Sequence, residues 1–386
     1  MSLLSLARRR PTRIRVVTSL ILLSVCTLAA AAAPDPGPGA LLQGPAGEAL
    51  SPIVAAQKTH PIPIPALSLP ADALTEQAAR VALIADDAAA LPRLQSLIVW
   101  SHGQPLVERS YGNASVDAPV NIKSASKVFI SALVGQAIDR GIIDGAQASI
   151  RPMLGALPAD TNPRLAEITV EDLLTMRAGL ERTSGQHYGR WVTSPNWVNY
   201  VVSRPFVDEP GGRMLYSTGS SHLLSAILTH TAKRSTLEVA RDWLGKPLDI
   251  TFGGWDQDPQ GIYLGGNNMA VSPTSLRKFG EMMRTGGVAG DTRVLPLSWV
   301  QASWQLRTQS QFTGHGYGYG WFLTHAAGHP IYYAWGYGGQ MLYVVPSMGL
   351  TVVMTSDADL PSGSSGYAQD LHALLTEKIM PAARMD

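Results

Sequence analysis

Ser124 and Lys127 lie in the stretch Ile122-Lys123-Ser124-Ala125-Ser126-Lys127-Val128-Phe129-Ile130, a Ser-x-x-Lys at the threshold of an apolar helix. Three residues is just under one helical turn. A helix beginning at Ser124 therefore puts hydroxyl and amine on one face, with the lysine placed to take the serine's proton. The spacing alone is weak, because the chain carries a second copy in Ser275-Leu276-Arg277-Lys278. Ser272-Pro273-Thr274-Ser275 reads as a helix entry whose hydroxyls cap free N–H groups, so that copy is assigned to capping. Ser124 could be a cap as well. A helix N-terminus also suits catalysis, since its positive end favours a neutral lysine and offers backbone N–H to a developing oxyanion.

Two further segments carry groups of use to such a nucleophile. Tyr216 stands in Gly211-Gly212-Arg213-Met214-Leu215-Tyr216-Ser217-Thr218-Gly219. A phenol beside a lysine can have its pKa lowered and pass a proton between nucleophile and leaving group, although a tyrosine ahead of a helix is also an ordinary packed amphipath. In Tyr333-Ala334-Trp335-Gly336-Tyr337-Gly338-Gly339-Gln340 a glycine on a strand would let a substrate backbone approach the sheet edge, or would simply mark a bulge.

The elements that must position these residues follow from pattern. A helix is expected over Leu74 to Ala90, then a hairpin from Leu97-Ile98-Val99-Trp100 and Pro105 to Tyr111. The Ser124 helix carries Val128, Phe129, Ala132, Leu133 and Ile138 on helical spacing, with Gly141 as its stop. Residues 150–290 read as mostly helical. Strands return at Tyr319 to Leu323, Ile331 to Ala334, Gln340 to Val345 and Leu350 to Thr355, and a helix near Tyr367 to Met380 follows. The expectation is an α+β fold: one antiparallel sheet built from both chain ends and flanked by helices, with an inserted helical lobe. The sheet lobe would take about 71–120 and 291–386, the helical lobe about 121–290, and the default site is the cleft between them.

The N-terminus is of another kind. Arg8, Arg9, Arg10, Arg13 and Arg15 precede an uncharged apolar stretch from Val16 to Ala33, which reads as a secretory signal over 1–33, or as a membrane anchor if it stays uncleaved. Residues 34–70, rich in Pro, Gly and Ala, read as a linker. Export to the periplasm or medium is expected. Removing five arginines takes the formal charge from +1 to −4, which gives no general case for nucleic acid. The single cysteine, Cys26, lies in the signal, so neither disulfides nor a cysteine nucleophile is expected.

Ser124-x-x-Lys127, then Tyr216-Ser217-Thr218, then the glycine-bearing strand at Gly336 together resemble the serine β-lactamase and penicillin-binding-protein superfamily. The likeness is to its class C-like branch, which also contains esterases, D-amino-acid peptidases and 6-aminohexanoate-oligomer hydrolases. Supporting segments are Ile168 to Leu180, Gly265-Gly266-Asn267-Asn268-Met269 and Tyr317-Gly318-Tyr319-Gly320-Trp321, and the resemblance spans about 71–386. It implies a β-lactamase/DD-peptidase-like fold, with Ser124 as acylated nucleophile, Lys127 as proton acceptor and Tyr216 as partner base. It also implies an oxyanion hole from the backbone N–H of Ser124 and Tyr337, and substrate contacts at Ser217, Thr218, Trp335 and Gly336.

Two departures narrow the substrate. The family's Tyr-x-Asn becomes Tyr216-Ser217-Thr218, and its Lys-Thr-Gly or His-Thr-Gly becomes Ala334-Trp335-Gly336. An amide and a carboxylate-gripping group are thus missing, which argues against β-lactams and peptidoglycan and for linear amides or esters, with Trp335 and Tyr337 available to line an apolar acyl pocket. No metal or organic cofactor is expected, the partner being a small amide or ester. A β-lactamase or D-amino-acid peptidase of the same mechanism, or a non-catalytic domain that senses cell-wall peptides, are the alternatives. No Gly-x-Ser-x-Gly elbow, His-Glu-x-x-His or Walker-type loop occurs, and His222, His315 and His329 are read as structural or surface residues.

Overall fold

A computed structural model describes residues 71–360 and 365–384. The signal and linker inferred for 1–33 and 34–70 lie outside the described residues. The elements that build and cover the sheet are α1 (Ala71–Ala89), β1 (Leu94–Ser101), β2 (Gln104–Ser110), α2 (Lys127–Asp139), α3 (Thr218–Ala232) and α4 (Pro273–Arg284). They are followed by β3 (Thr308–Gln309), β4 (Gly316–Tyr317), β5 (Phe322–Ala326), β6 (His329–Gly336), β7 (Gln340–Val345), β8 (Leu350–Ser356) and α5 (Tyr367–Ala373). The eight strands form one sheet in the order β2-β1-β8-β7-β6-β5-β4-β3, and every pairing is antiparallel. The fold is α+β, and the first two strands join the last one across almost the whole domain.

The central strands are buried on both faces, and their residues divide by parity. Leu342, Val344 and Val353 enter one apolar cluster with α2 and α4, while Met341, Tyr343, Val345, Val352 and Met354 enter a second with α1 and α5. This is the two-residue period of a strand read on each side in turn. Each such side chain stabilises the fold by about 1.5–3 kcal/mol on burial, so a one-residue slip would invert both faces at once.

Helix α2 is buried from Lys127 through Ala137, apolar nearly all round rather than along one stripe. Phe129 stacks on Phe279 of α4 at 4.1 Å. The chain enters α2 through a 3₁₀ turn, Lys123–Ser126, so the α-helix begins at Lys127, three residues later than expected. Lys123 takes φ 51 at the start of that turn. Gly141, at φ 66, follows the helix as anticipated.

Most expected strands appear within a residue or two, but the one placed at Tyr319 to Leu323 begins at Phe322. Gly318 N–H donates to Trp321 O across a tight turn in which Gly320 has φ 82. A side chain at Gly320 would lie 3.2 Å from the Lys127 carbonyl, so this turn is the seat of the Ser124 helix and not a strand. The closing helix runs on from α5 as a π-helical stretch, Leu374–Ile379. Among the described residues no helix is long and apolar enough to cross a membrane.

Candidate active site

The 3₁₀ turn holds Ser124 half-buried, with no side-chain cap bond from that turn. Lys127 Nζ lies 3.0 Å from Ser124 Oγ. The same ammonium donates to the Gly266 carbonyl at 2.6 Å and makes a long contact to Thr218 Oγ1 at 3.5 Å. The amine is almost wholly buried, and burial pushes its pKa from 10.5 down to about 7. Once neutral it keeps two hydrogens for Gly266 and Thr218, and its lone pair faces Ser124. An amine so placed is able to take the hydroxyl's proton.

The second Ser-x-x-Lys has no such geometry. Ser272 Oγ caps α4 by accepting from Ser275 N–H at 3.1 Å, and Lys278 Nζ pairs with Asp249 Oδ2 at 2.6 Å on the surface.

Tyr216 and Ser124 line the same cavity, the serine hydroxyl lowers the phenol's pKa, and the Tyr216 ring lies 5.0 Å from Lys127 Nζ. Its surroundings do the opposite of what the sequence suggested. Burial against Phe322, Tyr317 and Phe312 pushes the phenol up to about 12, and the Ser124 hydroxyl offsets this only in part. Tyr216 is therefore a neutral O–H at working pH, and the group brought into range to accept a proton is Lys127.

Ser217 and Thr218 do not reach the cavity as substrate contacts. The free N–H groups that open α3 are satisfied from another loop: Thr218 N–H donates to Ser184 Oγ at 2.8 Å and Gly219 N–H to Thr183 Oγ1 at 2.9 Å. Ser217 Oγ turns inward to accept from Thr183 N–H at 3.1 Å. Thr218 Oγ1 bonds Ser184 Oγ at 3.0 Å and backs Lys127. These two residues lock the Tyr216 segment to the 183–184 loop.

Gly336 ends β6 beside the serine turn. A side-chain carbon there would lie 2.2 Å from the Ile122 carbonyl and 2.9 Å from Gln340 Cβ. The space that glycine leaves is thus taken by the protein's own backbone, two residues before Ser124, and not by substrate. Gly336→Ala should force strand and turn apart, at a cost of about 1–3 kcal/mol. A thermal midpoint unchanged within a degree in calorimetry would contradict this packing.

Tyr337 follows in the turn, 49% exposed, and with Trp335 it lines a cavity of about 850 Å³ that also reaches Ser124 and Tyr216. Phe312 and Phe322 complete the wall near the serine. Beyond them the cavity extends past His315, His325 and His372. His325, His372, Phe312 and the Gly266 carbonyl escaped the sequence reading, which took His315 as a structural or surface residue. The 265–269 segment was noticed without a role, and nothing in the spacing of the histidines marks them as neighbours.

Comparison with known proteins follows the same line. The pattern describing the Beta-lactamase family matches residues 89–377. Among solved structures, the chain is similar to a Bacillus anthracis protein assigned as a 6-aminohexanoate-dimer hydrolase, at TM-score 0.61 and 17% identity, covering 78% of this chain and 80% of that one. It is similar to EstCE1, a hydrolase with promiscuous acyltransferase activity, at TM-score 0.64 and 17% identity over 81% and 100% of the two chains. A D-stereospecific amidohydrolase from Streptomyces sp. superposes at TM-score 0.57 and 16% identity over 79% and 98%. At such identities the structures speak for the fold. The family match spans most of the 386 residues, and the chain belongs to the Beta-lactamase family, within the serine β-lactamase and penicillin-binding-protein superfamily that its motifs resemble.

Proposed function

We propose that the protein is an exported serine hydrolase that cleaves esters and linear amides through an acyl-enzyme on Ser124. The observation that carries this is the buried Lys127 amine, 3.0 Å from Ser124 Oγ, with its pKa held near 7 and its hydrogens directed to Gly266 and Thr218.

In acylation, neutral Lys127 takes the Ser124 proton as Oγ attacks the carbonyl carbon. The N–H groups of Ser124 and Tyr337 are assigned to the oxyanion, where two donors are worth several kcal/mol. Tyr216 donates its O–H to the leaving oxygen or nitrogen and regains a proton from Lys127. Its raised pKa suits a relay that stays protonated at rest. Water then repeats the sequence on the acyl-enzyme, giving up one proton to the base while Ser124 recovers its own. Protons balance over the cycle.

The wall offers Phe312, Phe322, Trp335 and Tyr337 to the acyl group, and among the described residues no lysine or arginine lines the cavity. An apolar acyl chain suits it better than the carboxylate of a β-lactam. With p-nitrophenyl butyrate and nitrocefin as paired substrates, kcat/KM should favour the ester by at least about a hundredfold; nitrocefin as the better substrate would overturn this choice.

Export rests on the Arg-led apolar segment of residues 1–33. Expressed with its full N-terminus in a Gram-negative host, the protein should be recovered from the periplasm with a new N-terminus near Ala29 to Pro34. Recovery of the intact chain in the cytoplasm would contradict it.

A further inference from the structure

The half of the cavity away from Ser124 is not explained by acyl transfer. The ring centroids step from Tyr216 to Phe322 at 6.4 Å, from Phe322 to Tyr333 at 5.1 Å and from Tyr333 to His372 at 4.9 Å. The histidines thus stand three ring contacts beyond the catalytic phenol. His315 Nδ1 is 2.7 Å from the Tyr333 hydroxyl, and His372 Nδ1 is 3.2 Å from the Tyr343 hydroxyl. Tyr333 and Tyr343 are both fully buried. A phenol is a far stronger acid than a neutral imidazole N–H, so each tyrosine donates to Nδ1 and fixes the tautomer that carries its hydrogen on Nε2. Nε2–H is then the remaining polar group of each ring, and both rings line the cavity. Two N–H donors at the end of an aromatic channel define a recognition site for an acceptor.

Charge decides which acceptor. Burial lowers the pKa of both rings, His372 to about 4, so both are neutral near pH 7. Among the described residues no lysine or arginine lines the cavity, and the one carboxylate that does, Glu377, is exposed. The third histidine of this end, His325, is exposed to water, so a carboxylate brought against the His315 and His372 rings would lose water and gain no buried cation, which is costly. An ammonium would meet two donors. Among the described residues no group of three His, Cys, Asp or Glu side chains is placed to hold a metal ion. A neutral carbonyl fits on all these counts.

We propose that the His315/His372 end is a subsite for a second, uncharged carbonyl on the substrate's acyl chain, so that the preferred substrates carry an ester or amide group at the end of a chain of medium length. This deepens the serine-hydrolase reading and rests on it. Lengthening the chain by methylenes alone fills the aromatic channel but leaves the two N–H groups without a partner, an omission that buried polar sites penalise.

The test uses p-nitrophenyl esters of decanoic acid and of suberic acid monomethyl ester, acyl chains of equal length that differ at the distal carbonyl, with p-nitrophenyl acetate as reference. The wild-type protein should favour the suberate diester over decanoate by at least about tenfold in kcat/KM. In His372→Leu and His315→Leu that ratio should fall toward one. Wild-type turnover of acetate with equal or better use of decanoate would overturn the subsite and leave the hydrolase standing. A p-nitrophenyl ester of suberic acid with its carboxylate free, if used best of the three, would overturn the neutral-acceptor assignment. No turnover of any ester would instead sink the serine-hydrolase reading. Because the wild-type comparison needs no variant, the proposal stays testable even if a leucine variant fails to fold.

Discussion

Ser124→Ala is expected to lower kcat on p-nitrophenyl esters by about a hundred-thousandfold or more, leaving at most the weak assistance that an oxyanion site gives to water. The serine sits half-buried in a 3₁₀ turn, its hydroxyl bonded to Lys127 and facing the same cavity as Tyr216. Deleting one oxygen from that turn removes no apolar contact from the core behind it, so thermal stability should stay within about 1 kcal/mol of wild type. A loss of activity without a loss of fold separates nucleophile from scaffold. A variant that retained more than about a hundredth of the activity would place the nucleophile elsewhere.

Lys127→Met should cost about a thousandfold in kcat, in the middle of the range for general acid–base catalysis. The methionine matches the buried stem of the lysine and removes only the amine. Because nucleophile and base act as one unit, the Ser124→Ala, Lys127→Met double variant should be no worse than Ser124→Ala alone. The same amine sets two pH profiles. Only its neutral form accepts the serine proton, so kcat/KM should fall about tenfold per unit below pH 7 and level off above it. For stability the sign follows from the lowered pKa. An unfolded lysine holds its proton up to about 10.5 and the folded one only to about 7, so the unfolded chain binds more protons between those values. Stability from this group therefore rises with pH across that window and is flat below it. Lys127→Met lacks the rise, and a kcat/KM profile flat from pH 5 to 8 in the wild type would contradict the assignment of Lys127 as base.

Much of this was legible in the sequence, for reasons that differ by residue. Ser124 and Lys127 are local to one turn, so their spacing could be read directly even though the turn is 3₁₀ and the α-helix starts at Lys127. The sheet was legible because parity and turn residues mark strands; Gln340 to Val345 matches to the residue. Gly320 misled, since an aromatic-glycine alternation looks like a strand until its positive φ and its contact with Lys127 are seen. The Tyr216 pKa was misjudged because a nearby lysine is visible in a motif whereas burial by Phe312, Tyr317 and Phe322 is a property of the assembled sheet. Ser217 and Thr218 inherited a substrate role from the motif's family, yet their partners Thr183 and Ser184 are 34 residues away. His315 and His372 meet only after α5 packs on β6 and β7, which no linear spacing announces.

The most direct measurement is covalent. The purified protein is treated with a fluorophosphonate at pH 8, and the adduct is located by peptide mass spectrometry. A single modification on Ser124, absent from Ser124→Ala and slowed by about a thousandfold in Lys127→Met, is the predicted result. Equal labelling of Ser124→Ala, or an adduct on any other residue, would contradict the assignment of Ser124 as the nucleophile.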